Sequence, residues 1–404
     1  MPSTTLVVAV DASTIAPDAG RRSPTLALAA ALAAPGDEIH LLSVLPPSRG
    51  GDATTPTAPP LPSLLLPSPG LSTAAAAEAV VEARLRESKK DGIAASACLE
   101  SSRAALVGEF GVELDRVFLH LLNPAASSSS SSSSSASTAA AIVAFAHAKR
   151  AKVVVLGSRG MGALARALGS VIGGTGLGSV SDAVVSGLQS GAVAVARGRG
   201  ERPLLASAAS PSASVAPASV KIVVAVDGSP ASRAALLFAC RWASGGGALA
   251  GRATLFLVSA PQIPPFPVVF DDSPSSAVAA SYGAERWEQV REAAAAAARA
   301  AVEEAAATAV ARGVERSSID TAALDSGGIG GGVALPVVEA LNEFVETRVG
   351  AHVVVAGSRG LGAWRAAALA LVGLGSVSSG LLHSSKVPVV VVKSAEEEEE
   401  EEEV

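Results

Sequence analysis

The chain has 404 residues, 49% of them apolar and only 3% aromatic, and a formal net charge of −6. That is enough apolar material for two cores built from alanine, valine and leucine, while an acidic chain with no basic stripe offers no electrostatic footprint for nucleic acid. Two cysteines, Cys98 and Cys240, supply neither a disulfide scaffold nor a metal-ligand spacing, and no apolar run approaches the roughly 18 residues of a membrane helix. The expectation is a cytoplasmic, soluble protein, with no room for a signal peptide ahead of a strand that begins by about residue 5.

Leu6-Val7-Val8-Ala9-Val10-Asp11 reads as a buried strand with an aspartate at its tip. Residues 21–34 read as a helix, started by Ser23-Pro24 and stopped by Pro35-Gly36. The apolar run 39–44 is the next strand, which Pro46-Pro47 ends before a Pro/Ser/Thr-rich loop reaching Gly70. A long alanine-rich helix is expected over 74–90. The strand after it is poorly marked: 112–122 is the stronger candidate and 94–99 competes with it. The serine run 127–135 has no side chain to bury and reads as a solvated insertion. Residues 138–150 then form a helix with Ile142, Phe145 and Ala146 on one face. It delivers the chain to Val153-Val154-Val155-Leu156, which runs into Gly157-Ser158-Arg159-Gly160. Leu177-Gly178-Ser179-Val180-Ser181 opens a further helix, and Val193-Ala194-Val195 is a closing strand.

The same order then starts again. Ile222-Val223-Val224-Ala225-Val226-Asp227 is a strand with an aspartate tip, and Asp227-Gly228-Ser229-Pro230 leads into a helix over 230–243. A strand follows at 254–258, then a proline-rich stretch over 261–274, then a long helix over 279–312 whose buried stripe is expected at Trp287 and Val290. Glycines at 327, 328, 330, 331 and 332 mark a flexible insertion before a helix over 335–348. Val353-Val354-Val355-Ala356 runs into Gly357-Ser358-Arg359-Gly360, Leu374-Gly375-Ser376-Val377-Ser378 follows, and valines over 387–392 close the unit. A motif repeated with its flanks is a repeated domain. The expected units are 1–197 and 220–395, joined by a Ser/Ala/Pro-rich linker at 198–219 and followed by an acidic, disordered tail at 396–404. The β-α-β order makes each an α/β unit, two Rossmann-like, doubly wound parallel sheets in tandem. Limited proteolysis should cut first within 198–219 or in the serine run. Early cleavage within 153–160 would contradict this map.

A buried strand running into a glycine-rich turn sets backbone N–H groups at the carboxyl edge of a parallel sheet, a geometry suited to phosphate. With the strand-borne Val-Asp, the Gly-x-x-G followed by Gly-Ser, and the closing valine strand, most of the chain resembles the universal stress protein family in its tandem, two-domain form. Nucleotide-binding members of that family carry Gly-x2-Gly-x9-Gly-Ser/Thr, and Gly157/Gly160 and Gly357/Gly360 fit its first half. The second half is more widely spaced: 17 residues separate Gly160 from Gly178 and 14 separate Gly360 from Gly375, while Gly169-Ser170 offers a close after eight.

The resemblance implies an adenine nucleotide alpha hydrolase-like fold that binds ATP or AMP, with Mg2+ as accompanying cation. It places Asp11 and Asp227 at the ribose or adenine, and the backbone of Val44 and Val258 at the adenine edge. Gly157, Arg159, Gly160, Gly178, Ser179 and Val180 fall at the phosphates of the first half. Gly357, Arg359, Gly360, Gly375, Ser376 and Val377 fall there in the second. Each position has a structural reading beside this one. The aspartates and serines can cap helices, the valines can be core, the arginines can be solvated, and the glycines can form tight turns at positive φ. The resemblance also implies an internal pseudo-dimer in which the closing strands pair, removing two exposed edges. A homodimer and protein partners remain open.

Catalysis has little support. His40, His120, His147, His352 and His383 show no paired spacing, and no Gly-x-Ser-x-Gly elbow, Walker lysine or metal cluster is present. The expected function is nucleotide-dependent sensing or regulation in a stress response, with weak ATP hydrolysis at most. The alternatives are a scaffold that binds no nucleotide and a slow ATPase.

Overall fold

The computed structural model describes residues 4–11, 23–45, 73–123, 134–158, 177–197, 219–244, 249, 251–261, 274–324, 337–358 and 376–393. Among these residues the strands are β1 (Thr5–Ala9), β2 (Glu38–Val44), β3 (Val117–Leu122), β4 (Val153–Gly157) and β5 (Gly191–Ala196), then β6 (Val220–Ala225), β7 (Ala253–Ser259), β8 (Ile319–Ala323), β9 (Val353–Gly357) and β10 (Val389–Lys393). The helices of the first half are α1 (Pro24–Leu32), α2 (Thr73–Phe110), α3 (Ser134–Ala148) and α4 (Ser179–Gly187). Those of the second are α5 (Pro230–Ala243), α6 (Pro274–Ala311), α7 (Val337–Glu343) and α8 (Ser376–Ser384).

All ten strands lie in one sheet, in the order β3-β2-β1-β4-β5-β10-β9-β6-β7-β8. Within each half the pairing is parallel, and the halves meet at one antiparallel pair, β5 with β10, in which Val193 faces Val391 and Val195 faces Val389. The expected pairing of the closing strands is present. Strands buried on both faces need continuous β-branched or leucine runs, and alternate residues serve two cores. Leu6, Val8, Val153 and Val155 pack under α1, α2, α5 and α6. Val7, Val154, Val193 and Val391 pack under α3, α4, α7 and α8. Side chains also cross between the halves: Trp242 Nε1 donates to the Ala31 carbonyl, Arg241 to the Thr4 hydroxyl and Arg197 to the Leu382 carbonyl.

Several element boundaries move. α1 starts at Pro24, because the Ser23 side chain accepts from the Leu26 N–H and makes Ser23 the cap. α2 runs on to Phe110, so 94–99 is helix and the third strand is 117–122. Buried Cys98, Leu99 and Leu106 hold this continuation on the sheet. α3 begins at Ser134, at the end of the serine run, with Ile142 and Ala146 buried. In α6 the expected stripe holds only in part: Trp287 is half-buried but Val290 is exposed, and Ala298, Val302, Ala305, Ala306 and Ala309 face the core. That stripe is alanine-based, because a small side chain lets the helix sit close to the sheet. β8 was not anticipated, since its sequence, IDTAA, buries fully only Ile319. α7 ends in a wide helical turn over Phe344–Val349, closed by Gly350 at φ 60. The stretches 46–72, 198–218, 262–273, 325–336 and 394–404 lie outside the described residues, and with them the loops, linker, glycine insertion and tail expected there.

Candidate functional site

The strand order reverses between β1 and β4 in the first half and between β6 and β9 in the second. Parallel α/β sheets bind ligands outside the carboxyl ends of the strands at such a crevice. Asp11 lies two residues past the end of β1 and Asp227 two past β6, while Gly157 and Gly357 end the adjoining strands. The sequence therefore brings the aspartate and the glycine turn of each half to one edge.

In the second half the turn is closed by its own polar groups. Asp227 Oδ1 accepts from the Ser229 N–H at 3.0 Å, with Gly228 between them at φ +79. Ser229 is the α5 cap, its hydroxyl accepting from the Ser232 N–H at 3.1 Å, and Ser232 Oγ accepts from the Asp227 N–H at 3.3 Å. The capping role considered for Asp227 thus belongs to Ser229. Gly357 is also redefined. It ends β9 without a positive φ, and a Cβ there would stand 2.5 Å from the Ala231 carbonyl carbon and oxygen and 2.8 Å from the Ser232 nitrogen. Glycine is required because the first turn of α5 lies against the strand end.

In the first half the Asp11 carbonyl accepts from the Cys98 thiol at 3.1 Å. Burial, reinforced by the Asp11 charge, pushes the Cys98 pKa up, so the sulfur stays a protonated donor. Cys240 is likewise inert, burial pushing it up to about 11. Beyond the glycines, the Ser158 N–H donates to the Ala196 carbonyl at 3.0 Å and the Ser358 N–H to the Val392 carbonyl at 2.8 Å. Gly178 donates to the Ser158 carbonyl at 2.8 Å and caps α4 without a side-chain hydrogen bond. Ser179 is exposed at the first position of α4 and Val180 is half-buried. Ser376 opens α8, and Val377 packs against the core. Arg159, Gly160, Arg359, Gly360 and Gly375 lie outside the described residues.

The structure adds Ser181 and Ser378. Ser181 Oγ donates to the Gly157 carbonyl at 2.8 Å and Ser378 Oγ to the Ser358 carbonyl at 3.1 Å, pinning each helix start to the end of its glycine strand. The signal was the second serine of Leu-Gly-Ser-Val-Ser, present in both copies.

The register does not make Val44 and Val258 counterparts. Ala9 pairs with Leu42 and Ala225 with Val258, so the counterpart of Val258 is Leu42 and that of Val44 is Ala260. Val258 is fully buried, and its carbonyl already accepts from the Val226 N–H at 2.8 Å. Val44 is half-buried at the strand's end.

The histidines are paired after all: His40 Nδ1 and His120 Nε2 lie 2.8 Å apart. Residues 80 apart in sequence meet because β2 and β3 are neighbours. The pair lies on the face covered by α3. His352 Nδ1 accepts from the Lys221 N–H at 3.1 Å, and His383 Nδ1 donates to the Ser379 carbonyl at 2.8 Å. Among the described residues no group of three or more His, Cys, Asp or Glu is placed to hold a metal, and no helix is long and apolar enough to cross a membrane.

Residues 3–195 match the family model described as "Universal stress protein family". No curated protein matches the chain. Among solved structures, a universal stress protein family member from Burkholderia pseudomallei is similar at 24% identity, covering 43% of this chain and 96% of its own, with a TM-score of 0.27. A universal stress protein in complex with cAMP is similar at 25% identity, covering 44% of this chain and 99% of its own, with a TM-score of 0.26.

Proposed function

We propose, from the match of residues 3–195 to the universal stress protein family model, that the chain is an adenine-nucleotide-binding protein that senses or regulates a stress response. ATP or AMP would bind at the carboxyl edge of one or both halves of an internal pseudo-dimer. The observation that carries this reading is the repeated meeting, at the point of strand reversal, of a strand-tip aspartate with a glycine-ended strand.

The residues fit the group. The α4 start is capped by a residue with no side chain and followed by the exposed Ser179, so its first amides and that hydroxyl would be available to a phosphate chain. Asp11 and Asp227 would accept hydrogen bonds from ribose hydroxyls, and Arg159 and Arg359 would pair with phosphate oxygens. The adenine edge falls to Val44 and, by register, Ala260. Mg2+ would be held mainly by the phosphates themselves. Hydrolysis is proposed to be weak at most, and the cytoplasm is the compartment proposed.

One observation favours the scaffold reading for the second half. Packing against Ala231 accounts for Gly357, and the turn to Ser229 already engages Asp227.

Equilibrium dialysis of the full chain with radiolabelled ATP separates the two. Binding is expected, and Asp11→Ala or Asp227→Ala should each weaken its own site by about tenfold or more, the effect of losing a charged acceptor. A wild-type chain that retains no ATP, AMP or co-purified nucleotide would leave the scaffold. Steady phosphate release at enzyme-like rates would instead make it an ATPase.

A further inference from the structure

The imidazole pair under α3 takes no part in the nucleotide reading. His40 on β2 is 4% exposed, and His120 lies half-buried on β3, the edge strand of the first half. The two rings stack with centroids 5.0 Å apart. Phe118 stacks on His40 at 5.0 Å, and Phe145 of α3 closes over His120 at 4.7 Å. The charged groups facing the pair are Glu38 on β2 and Lys149 just past α3. Glu38 Oε2 lies 3.4 Å from His40 Nε2, and Lys149 Nζ lies 5.8 Å from the Phe145 ring centroid.

A hydrogen bond between two ring nitrogens needs one N–H and one lone pair. The carboxylate beside His40 Nε2 assigns the proton there, which leaves Nδ1 to accept from His120 Nε2–H. One further proton can enter at the outer nitrogen of His120. A second cannot, because it would set N–H against N–H at 2.8 Å, in a partly buried site that already faces Lys149.

We propose that the His40–His120 pair is an acid-released latch that fastens edge strand β3 and helix α3 onto the first half of the sheet. By register, Phe256 and Ala322 occupy the equivalent positions in the second half, so the device belongs to one half alone. Burial comes first among the causes that lower both histidines from 6.5, followed for His40 by opposing help from Glu38 and for His120 by the charge on His40. The unfolded or opened form therefore binds more protons. Its advantage is absent well above pH 6.5 and grows as the pH falls below it.

Hydrogen exchange on the full chain, corrected for intrinsic rates and compared at about pH 7.5 and about pH 5.5, tests the latch. Protection over 117–122 and 138–148 should fall by up to about tenfold per pH unit for each extra proton taken up. Protection over 319–323 and 337–349 should change far less. The double variant His40→Gln/His120→Gln, which keeps an N–H donor and an acceptor at each position but cannot titrate, should remove the first-half response. An equal loss at both edges, an unchanged β3, or a response that survives the double variant would overturn the proposal. If that variant does not fold, the comparison of the two edges in the wild-type chain decides it.

Discussion

Replacing Gly357 with valine is expected to destabilise the protein by about 3 kcal/mol, the upper part of the usual cost of overpacking, whether or not any ligand is present. The new Cβ would fall 2.5 Å from backbone atoms of Ala231, and backbone cannot rotate away as a side chain can. The remaining adjustment is withdrawal of the first turn of α5 from β9. That would disturb the Ser229 cap and the Asp227 turn together. Denaturant titration of the full chain measures the effect, and a midpoint equal to wild type would show that α5 can retreat freely. A loss of nucleotide binding in this variant would report packing rather than phosphate contact, which is why aspartate substitutions are the better probe of the site.

A comparable loss is expected from Val391→Asp. Val391 is fully buried and faces Val193, also fully buried, across the antiparallel seam. A carboxylate there would be buried in an apolar layer at whose edge the ladder's cation, Lys393, already has a partner, and burying a charge in such a layer is among the few mechanisms that cost about 4 kcal/mol or more. Because the seam joins the two parallel sheets, the damage should appear as lost coupling between halves. Calorimetry should resolve two transitions in the variant where one is expected for the wild-type chain. A single unshifted transition would mean that the strands do not pair in solution.

Much of the architecture was legible along the chain because its signals are local. Runs such as Val153-Val154-Val155-Leu156 and Val353-Val354-Val355-Ala356 can be satisfied only by burial on both faces, and their repetition with the same flanks announced two parallel units. Ser229-Pro230 marked the start of α5 to the residue, since a hydroxyl cap followed by a preset φ is a property of two neighbouring positions. The strand-tip aspartates and the glycine turns were likewise visible as candidates for one edge.

What depended on distance in sequence was not legible. An Ala-rich helix such as α6 has no contrast between its faces, so the buried stripe at Ala298, Val302 and Ala305 became defined only once the helix lay on the sheet. The counterpart of Val258 is set by hydrogen-bonded register, and the meeting of His40 with His120 by which strands are neighbours. The reason for Gly357 was also tertiary. By itself the sequence determined that a glycine follows each buried valine strand; the fold decided that at this position the glycine makes room for the backbone of Ala231, because steric exclusion acts between atoms close in space however far apart they lie along the chain.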